Sequence, residues 1–137
     1  MFKITVSTSG QGLYDVTDDL RRHLAMANFN DGVVTIFIQH TSASLLIQEN
    51  ADPTVQKDLV EFFCKIAPET DTYLHDAEGP DDMPAHIKSA LTQTSLSIPV
   101  VDGSLALGTW QGIYVFEHRK APHQRQLVCA LTGSDAT

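Results

Sequence analysis

Two histidines and four carboxylates fall within the fourteen residues from Tyr73 to His86, in a stretch interrupted by Gly79, Pro80 and Pro84. The prolines restrict the backbone, so the polar groups are presented by a stiffened loop. Neutral imidazole is the commonest protein ligand for zinc, and three imidazoles with an open fourth position form a recognised catalytic arrangement. A third histidine, His40, follows an apolar run, and His40, His75 and His86 are read as ligands meeting on one divalent transition metal, zinc for preference. Asp82 and Glu49 are the candidate catalytic carboxylates. Either would orient an imidazole N–H or take a proton from a bound water. The plain alternative is a solvated loop, with Asp82 as a helix cap and Asp76 and Asp81 facing water. The three histidines match no compact ligand motif such as H-E-x-x-H.

A second kind of chemistry is suggested by Glu117-His118-Arg119-Lys120, followed by His123 and Arg125. This is the one basic cluster in the chain, and arginine grips phosphate or carboxylate through paired N–H groups. Arg119 and Arg125, with His118, are therefore the candidate substrate-binding residues for an anion. Against this stands a solvated hairpin turn at Ala121-Pro122. Gly108-Thr109-Trp110-Gln111-Gly112 places two glycines around a tryptophan, which signals a bulge or a close backbone approach. Trp110 is expected in the core, and Gln111 is a further candidate for contact with substrate. Neither a G-x-x-x-x-G-K-[ST] loop nor a G-x-G-x-x-G turn is present, so nucleotide binding of those types is not indicated.

The elements that must position these groups follow from periodicity. The chain has 137 residues, 42% of them hydrophobic and 19% charged, which fits one soluble globular domain over 1–137 with a core of its own. A net charge of −8 argues against nucleic acid and anionic membranes as partners. Two cysteines, Cys64 and Cys129, lie in apolar settings and read as reduced thiols. With no signal-like or membrane-spanning run, the expected location is cytoplasmic. Phe2 to Ser7 alternates as a strand. Thr17 is the expected cap of a helix carrying Leu20 and Leu24, ended by Asn30-Asp31-Gly32. Val33 to Gln39 reads as a buried strand that runs into the polar tetrad His40-Thr41-Ser42-Ala43, and Ser44 to Glu49 as the next strand.

Asp52-Pro53 opens the strongest helix, with Val55, Leu59, Phe62, Phe63 and Ile66 as its apolar stripe. Pro84 begins a shorter one, capped by Asp82 or Met83, with Ile87, Ala90 and Leu91 inward. From Ser95 onward the pattern is sheet, with a hairpin at Asp102-Gly103. Strands apolar on both sides need two covers. The two long helices are expected to cover one face and a second copy of the chain the other. A monomeric sandwich satisfies the composition equally well.

His40-Thr41-Ser42-Ala43-Ser44-Leu45, Glu49-Asn50-Ala51-Asp52-Pro53, Asp81 to Lys88, Leu107 to Ile113 and Glu117-His118-Arg119 together resemble the YjbQ-type family, in order and over nearly the whole chain. Members of that family are often labelled secondary thiamine-phosphate synthases. The resemblance implies a small α+β domain, helices on a mostly antiparallel or mixed sheet, assembled as a homotrimer. It also implies a metal site from histidines matching His40, His75 and His86 near a subunit boundary. The chain departs from the family at Leu91-Thr92-Gln93-Thr94 and at Arg125-Gln126, where paired arginines are usual. Joining a pyrimidine diphosphate to a thiazole phosphate suits magnesium and oxygen ligands, whereas imidazoles suit zinc. Weak synthase activity is then a side reaction of a metal-dependent enzyme on a small phosphorylated or anionic substrate. The alternative is a non-catalytic trimer that binds a metal or metabolite.

Overall fold

The chain runs β1 (Phe2–Thr8), β2 (Gly12–Asp15), α1 (Thr17–Met26), β3 (Phe29–Ile38), β4 (Ala43–Glu49), α2 (Pro53–Ile66), α3 (Asp82–Leu91), β5 (Ser95–Val101), β6 (Ser104–Leu105), β7 (Gln111–Glu117) and β8 (His123–Asp135) in a computed structural model that describes residues 1–136. This is a small α+β fold whose strand pairings are all antiparallel among the described residues. The strands form a five-stranded sheet, ordered β1-β8-β3-β5-β6, and a three-stranded sheet, ordered β2-β7-β4. None of its helices is long and apolar enough to cross a membrane.

Strand alternation decides which side chains go inside. Ile4 and Val6 of β1, Val34, Ile36 and Ile38 of β3, Ile98 and Val100 of β5 and Leu127 of β8 all point to one face of the larger sheet. They meet Ala43 and Leu45 of β4 and Ile113 and Val115 of β7, and α1 adds Leu20 and Leu24 to the same cluster. The inner face of the five-stranded sheet is therefore covered mainly by a second sheet. The expectation that the two long helices cover it is corrected, because the β4 and β7 side chains already occupy that side.

α2 and α3 lie one layer further out. On the opposite face of β7, Phe116 meets Phe63 of α2 edge-on at 5.4 Å, and the Tyr114 hydroxyl is within 3.4 Å of Gln56 Nε2. α2 begins as the sequence predicts, with Asp52 accepting from the Thr54 amide at 2.9 Å and Pro53 at the first position. Its stripe is only partly covered, since Phe62 and Ile66 remain exposed. α3 differs more. Leu91 and Ala90 face water, while Asp82, Ala85, Lys88 and Ser89 are buried, so the inward face is largely polar.

Four further expectations are corrected locally. The Thr17 hydroxyl caps no helix but accepts from the Ile113 amide, and the Asp15 carboxylate accepts from the Thr17 amide instead. Asn30-Asp31-Gly32 lies inside β3, where Gly32 pairs with Gly133 so closely that a Cβ on either would sit 2.0 Å from a backbone oxygen of the other strand. Trp110 precedes β7 in a turn and is 63% exposed, because the strand begins one residue later. Residues 118–122, around Ala121-Pro122, join no hairpin, since β7 and β8 belong to different sheets. The Asp102-Gly103 hairpin is as expected, with both residues at positive φ.

Candidate metal centre

The end of β3, the start of β4, the end of β7 and the start of β8 lie together at one end of the sheets, and the N-terminus of α3 abuts them. The loop between α2 and α3 is fixed there by short contacts. Tyr73 donates to the Pro68 carbonyl at 2.7 Å, and the Asp82 amide donates to the Gly79 carbonyl at 3.3 Å, with Gly79 at φ +105. Here His75, Asp82 and His86 each offer one ligand atom within 4.8 Å of the others. His75 Nε2 is 2.6 Å and His86 Nε2 3.4 Å from the same Asp82 oxygen, Oδ2.

Hydrogen bonding fixes how His86 faces this point. Its Nδ1 lies 2.9 Å from the Thr41 carbonyl, and a carbonyl only accepts, so Nδ1 carries the proton. In the neutral ring Nε2 is then a bare lone pair aimed at the centre, the orientation a metal ligand requires. Asp82 Oδ2 lies 3.4 Å from that nitrogen, and a proton or a metal ion would bind both. The donor set therefore fits a divalent metal, with open positions beside two imidazoles and one carboxylate.

Asp82 is almost fully buried, and a second layer of contacts holds it. Arg119 Nη1 donates to Asp82 Oδ1 at 2.8 Å, Arg119 Nε to Asp81 Oδ2 at 3.0 Å, and Arg119 Nη2 to the Glu78 carbonyl at 2.9 Å. Asp81 also accepts from the Lys120 amide at 2.9 Å, so it is not solvated, and it stands at the N-cap of α3 without a side-chain capping bond. Burial opposes the charge on Asp82, but the hydrogen bonds with His75 and Glu78 and the charge of Arg119 outweigh it and hold the carboxyl below its ordinary value. Arg119 is thus a positioning residue for this carboxylate. Arg119→Ala is expected to weaken metal binding by about 10- to 100-fold, the usual cost of losing such an outer contact. Competition with a chromophoric chelator measures this, and an unchanged affinity contradicts it.

The other expected residues are dispersed. His40 is not brought into the ligand set, since its Nε2 accepts from the Gln126 amide at 2.8 Å. Glu49 lies at the opposite end of β4, six residues beyond Ala43, or about 20 Å at strand rise. There it accepts from the Asp52 amide as part of the α2 entry. Gln111, paired with Glu49 across the ladder, turns its side chain back to accept from the Gly108 amide at 2.8 Å. His118 is 1% exposed and lies under α3. Its Nε2 meets Ser44 Oγ at 2.8 Å, and Thr92 Oγ1 is 2.6 Å from Ser44 and 2.9 Å from the Lys88 carbonyl. Donation from His118 through Ser44 and Thr92 to that carbonyl satisfies every hydroxyl and leaves only a bare Nδ1 unpaired. Arg125 is clamped by Glu117, with Nε donating to Oε1 at 2.7 Å and Nη2 to Oε2 at 2.5 Å. The basic cluster is neutralised internally, which no spacing rule reveals.

A family model for UPF0047 protein YjbQ-like matches residues 2–134. The chain belongs to the YjbQ/UPF0047 family. It is 47% identical to UPF0047 protein sll1880 of Synechocystis over 131 residues, covering 95% of this chain and 89% of that relative. It is 45% identical to UPF0047 protein YjbQ of Escherichia coli O157:H7, covering 95% of both. Among crystal structures, a YjbQ/UPF0047 protein of Clostridium acetobutylicum superposes with a TM-score of 0.88 at 33% identity, over 96% of this chain and all of that one. The conserved protein TT1486 of Thermus thermophilus gives 0.85 at 31% identity, over 96% of this chain and 100% of the other.

Proposed function

We propose that this YjbQ-family protein is a metal-dependent enzyme acting on a small phosphorylated or otherwise anionic metabolite, with weak thiamine-phosphate synthase activity as a side reaction. One observation carries the reading: one nitrogen each of His75 and His86 and one oxygen of the buried Asp82 lie within 4.8 Å of one another. Zinc suits that donor set best. When bound, the metal polarises the substrate or lowers the pKa of a water.

The chain's own groups divide the remaining work. His75, His86 and Asp82 hold the ion, in place of the all-histidine set expected from the sequence. Arg119 fixes Asp82, and the Thr41 carbonyl fixes His86. Cavities of about 310 Å³ beside His75 and Asp76, and about 240 Å³ beside His86 and Ser89, leave room for substrate on either side. With both Asp82 oxygens engaged, proton transfer falls to the exposed Glu78 carboxylate, 3.9 Å from His75 Nε2. The protein works in the cytoplasm as a homotrimer, with Val33 and Phe37 on the uncovered face of the larger sheet as the apolar surface another copy would bury.

The engagement of both Asp82 oxygens also favours a second reading, a trimer that binds a metal or metabolite without turnover. Elemental analysis of protein purified without chelator or affinity tag, followed by His75→Ala, separates the two. Loss of the metal together with a measured turnover supports the enzyme. Metal loss with no turnover on any anionic substrate supports the binder, and no metal in the wild type defeats the enzyme and leaves only a metabolite binder.

A further inference from the structure

His40 receives the Gln126 amide on Nε2, so in the neutral ring the proton must sit on Nδ1. Burial, and after it the Arg125 charge, push the His40 pKa down, which keeps the ring neutral. Nδ1–H then lies 3.4 Å from Arg125 Nη1, which is also a donor and only a donor. Arg125 is 3% exposed, and its Nε and Nη2 are satisfied by Glu117 and Ser42, but Nη1 meets no acceptor among the described residues. A buried guanidinium and a partly buried imidazole thus bring two N–H groups together at the edge of one space, where an acceptor could receive both.

That space is a cavity of about 500 Å³ lined by His40, Thr41, Ser42, Thr94 and Arg125. It shares His40, Thr41 and Thr94 with the smaller cavity that reaches His86. The smaller cavity is also lined by Ser89, a buried residue whose hydroxyl has no partner. Gln39, which carries a side-chain amide, also lines the larger cavity, and the other unspent polar groups named here are donors or hydroxyls.

We propose that the cavity between His40 and Arg125 is an oxyanion site, in which one phosphoryl or carboxylate group of a ligand accepts from His40 Nδ1 and Arg125 Nη1 while the rest of the molecule extends past Ser89 towards His86. The inference rests on the proposed function only in taking that ligand to be the substrate. His40 becomes an anion-binding residue. Because Glu117 neutralises Arg125, the site selects by hydrogen-bond geometry more than by net charge.

Inorganic phosphate and acetate are titrated separately into metal-free and metal-loaded protein, with binding followed by calorimetry and by the 15N resonances of His40 and Arg125. Saturable binding that shifts both resonances is expected, with phosphate or acetate the tighter according to which oxyanion the site was built for. His40→Phe should weaken that binding by about tenfold or more, as expected for a lost hydrogen bond to a charged group, without changing metal stoichiometry. No saturable binding of either anion overturns the inference, as does binding that leaves the His40 resonances of the wild type unmoved. A His40→Phe variant that loses the metal overturns it too, by making His40 a ligand. Protein that takes up no metal yet binds phosphate through His40 leaves this site standing and defeats only the metal reading.

Discussion

Glu117→Gln is expected to lower the free energy of unfolding by about 3–5 kcal/mol, the range found when one partner of a buried ion pair is removed. Glu117 is fully buried at the end of β7. Its Oε1 accepts from Arg125 Nε and from Thr8 Oγ1 at 2.6 Å, and its Oε2 from Arg125 Nη2 and the amides of His118 and Arg119. Burial alone would push this carboxyl up, but Arg125, Thr8 and the Arg119 amide outweigh it and hold it below its ordinary value. One carboxylate therefore ties β1, β7 and β8 together across the two sheets. The amide of glutamine keeps the shape but leaves the buried guanidinium uncompensated. Urea unfolding at pH 7 measures the change. Pairing Glu117→Leu with Arg125→Met should recover part of the loss, because two apolar groups leave no stranded charge. A single-variant loss under about 1 kcal/mol would show that the pair contributes no more than a surface bridge.

His118 is expected to make the protein lose stability as the pH falls below about 6.5, before most carboxylates titrate. Burial, and after it the Lys88 ammonium, depress its pKa to about 3. The unfolded chain takes up a proton near the ordinary value of 6.5 while the folded chain does not. Between those two values the unfolded state binds the extra proton, so stability rises with pH by up to about 1.4 kcal/mol per unit from this residue alone. The contribution is complete above the unfolded value and declines as the pH falls towards the folded one. His118→Gln can still donate to Ser44 but cannot take up a proton. Urea midpoints at pH 7, 6, 5 and 4 should therefore show a shallower acid slope in the variant. Equal slopes would mean that the imidazole titrates freely in the folded protein.

How much of this was legible in the sequence follows the range of the forces involved. Strand alternation in Phe2 to Ser7, the strand beginning at Val33, the Asp52-Pro53 helix start and the Asp102-Gly103 turn are local, and residue order alone reveals them. What covers each face is not local. β4 and β7 form a second sheet where helices were expected, because apolar alternation reports that a strand needs a cover without saying which element supplies it. The site divides in the same way. That His75 and His86 lie close together was legible, because imidazoles on a proline-stiffened loop and the next helix must approach each other. The place of His40 was not, since its Nε2 is taken by a backbone amide eighty-six residues further on. Glu49 is near His40 in sequence but a strand's length away in space. Arg119 and Arg125 read as free cations because their carboxylate partners Asp81, Asp82 and Glu117 were counted separately as loop and cluster residues. An ion pair closes only when the chain has folded.

Anomalous scattering from zinc-equilibrated crystals tests most directly whether His75, Asp82 and His86 share one metal ion. The expected result is one peak within about 2.0–2.2 Å of His75 Nε2, His86 Nε2 and an Asp82 oxygen, with His40 still bonded to the Gln126 amide. A peak coordinated by His40 without Asp82, or no peak at those three residues in crystals holding excess zinc, would contradict it.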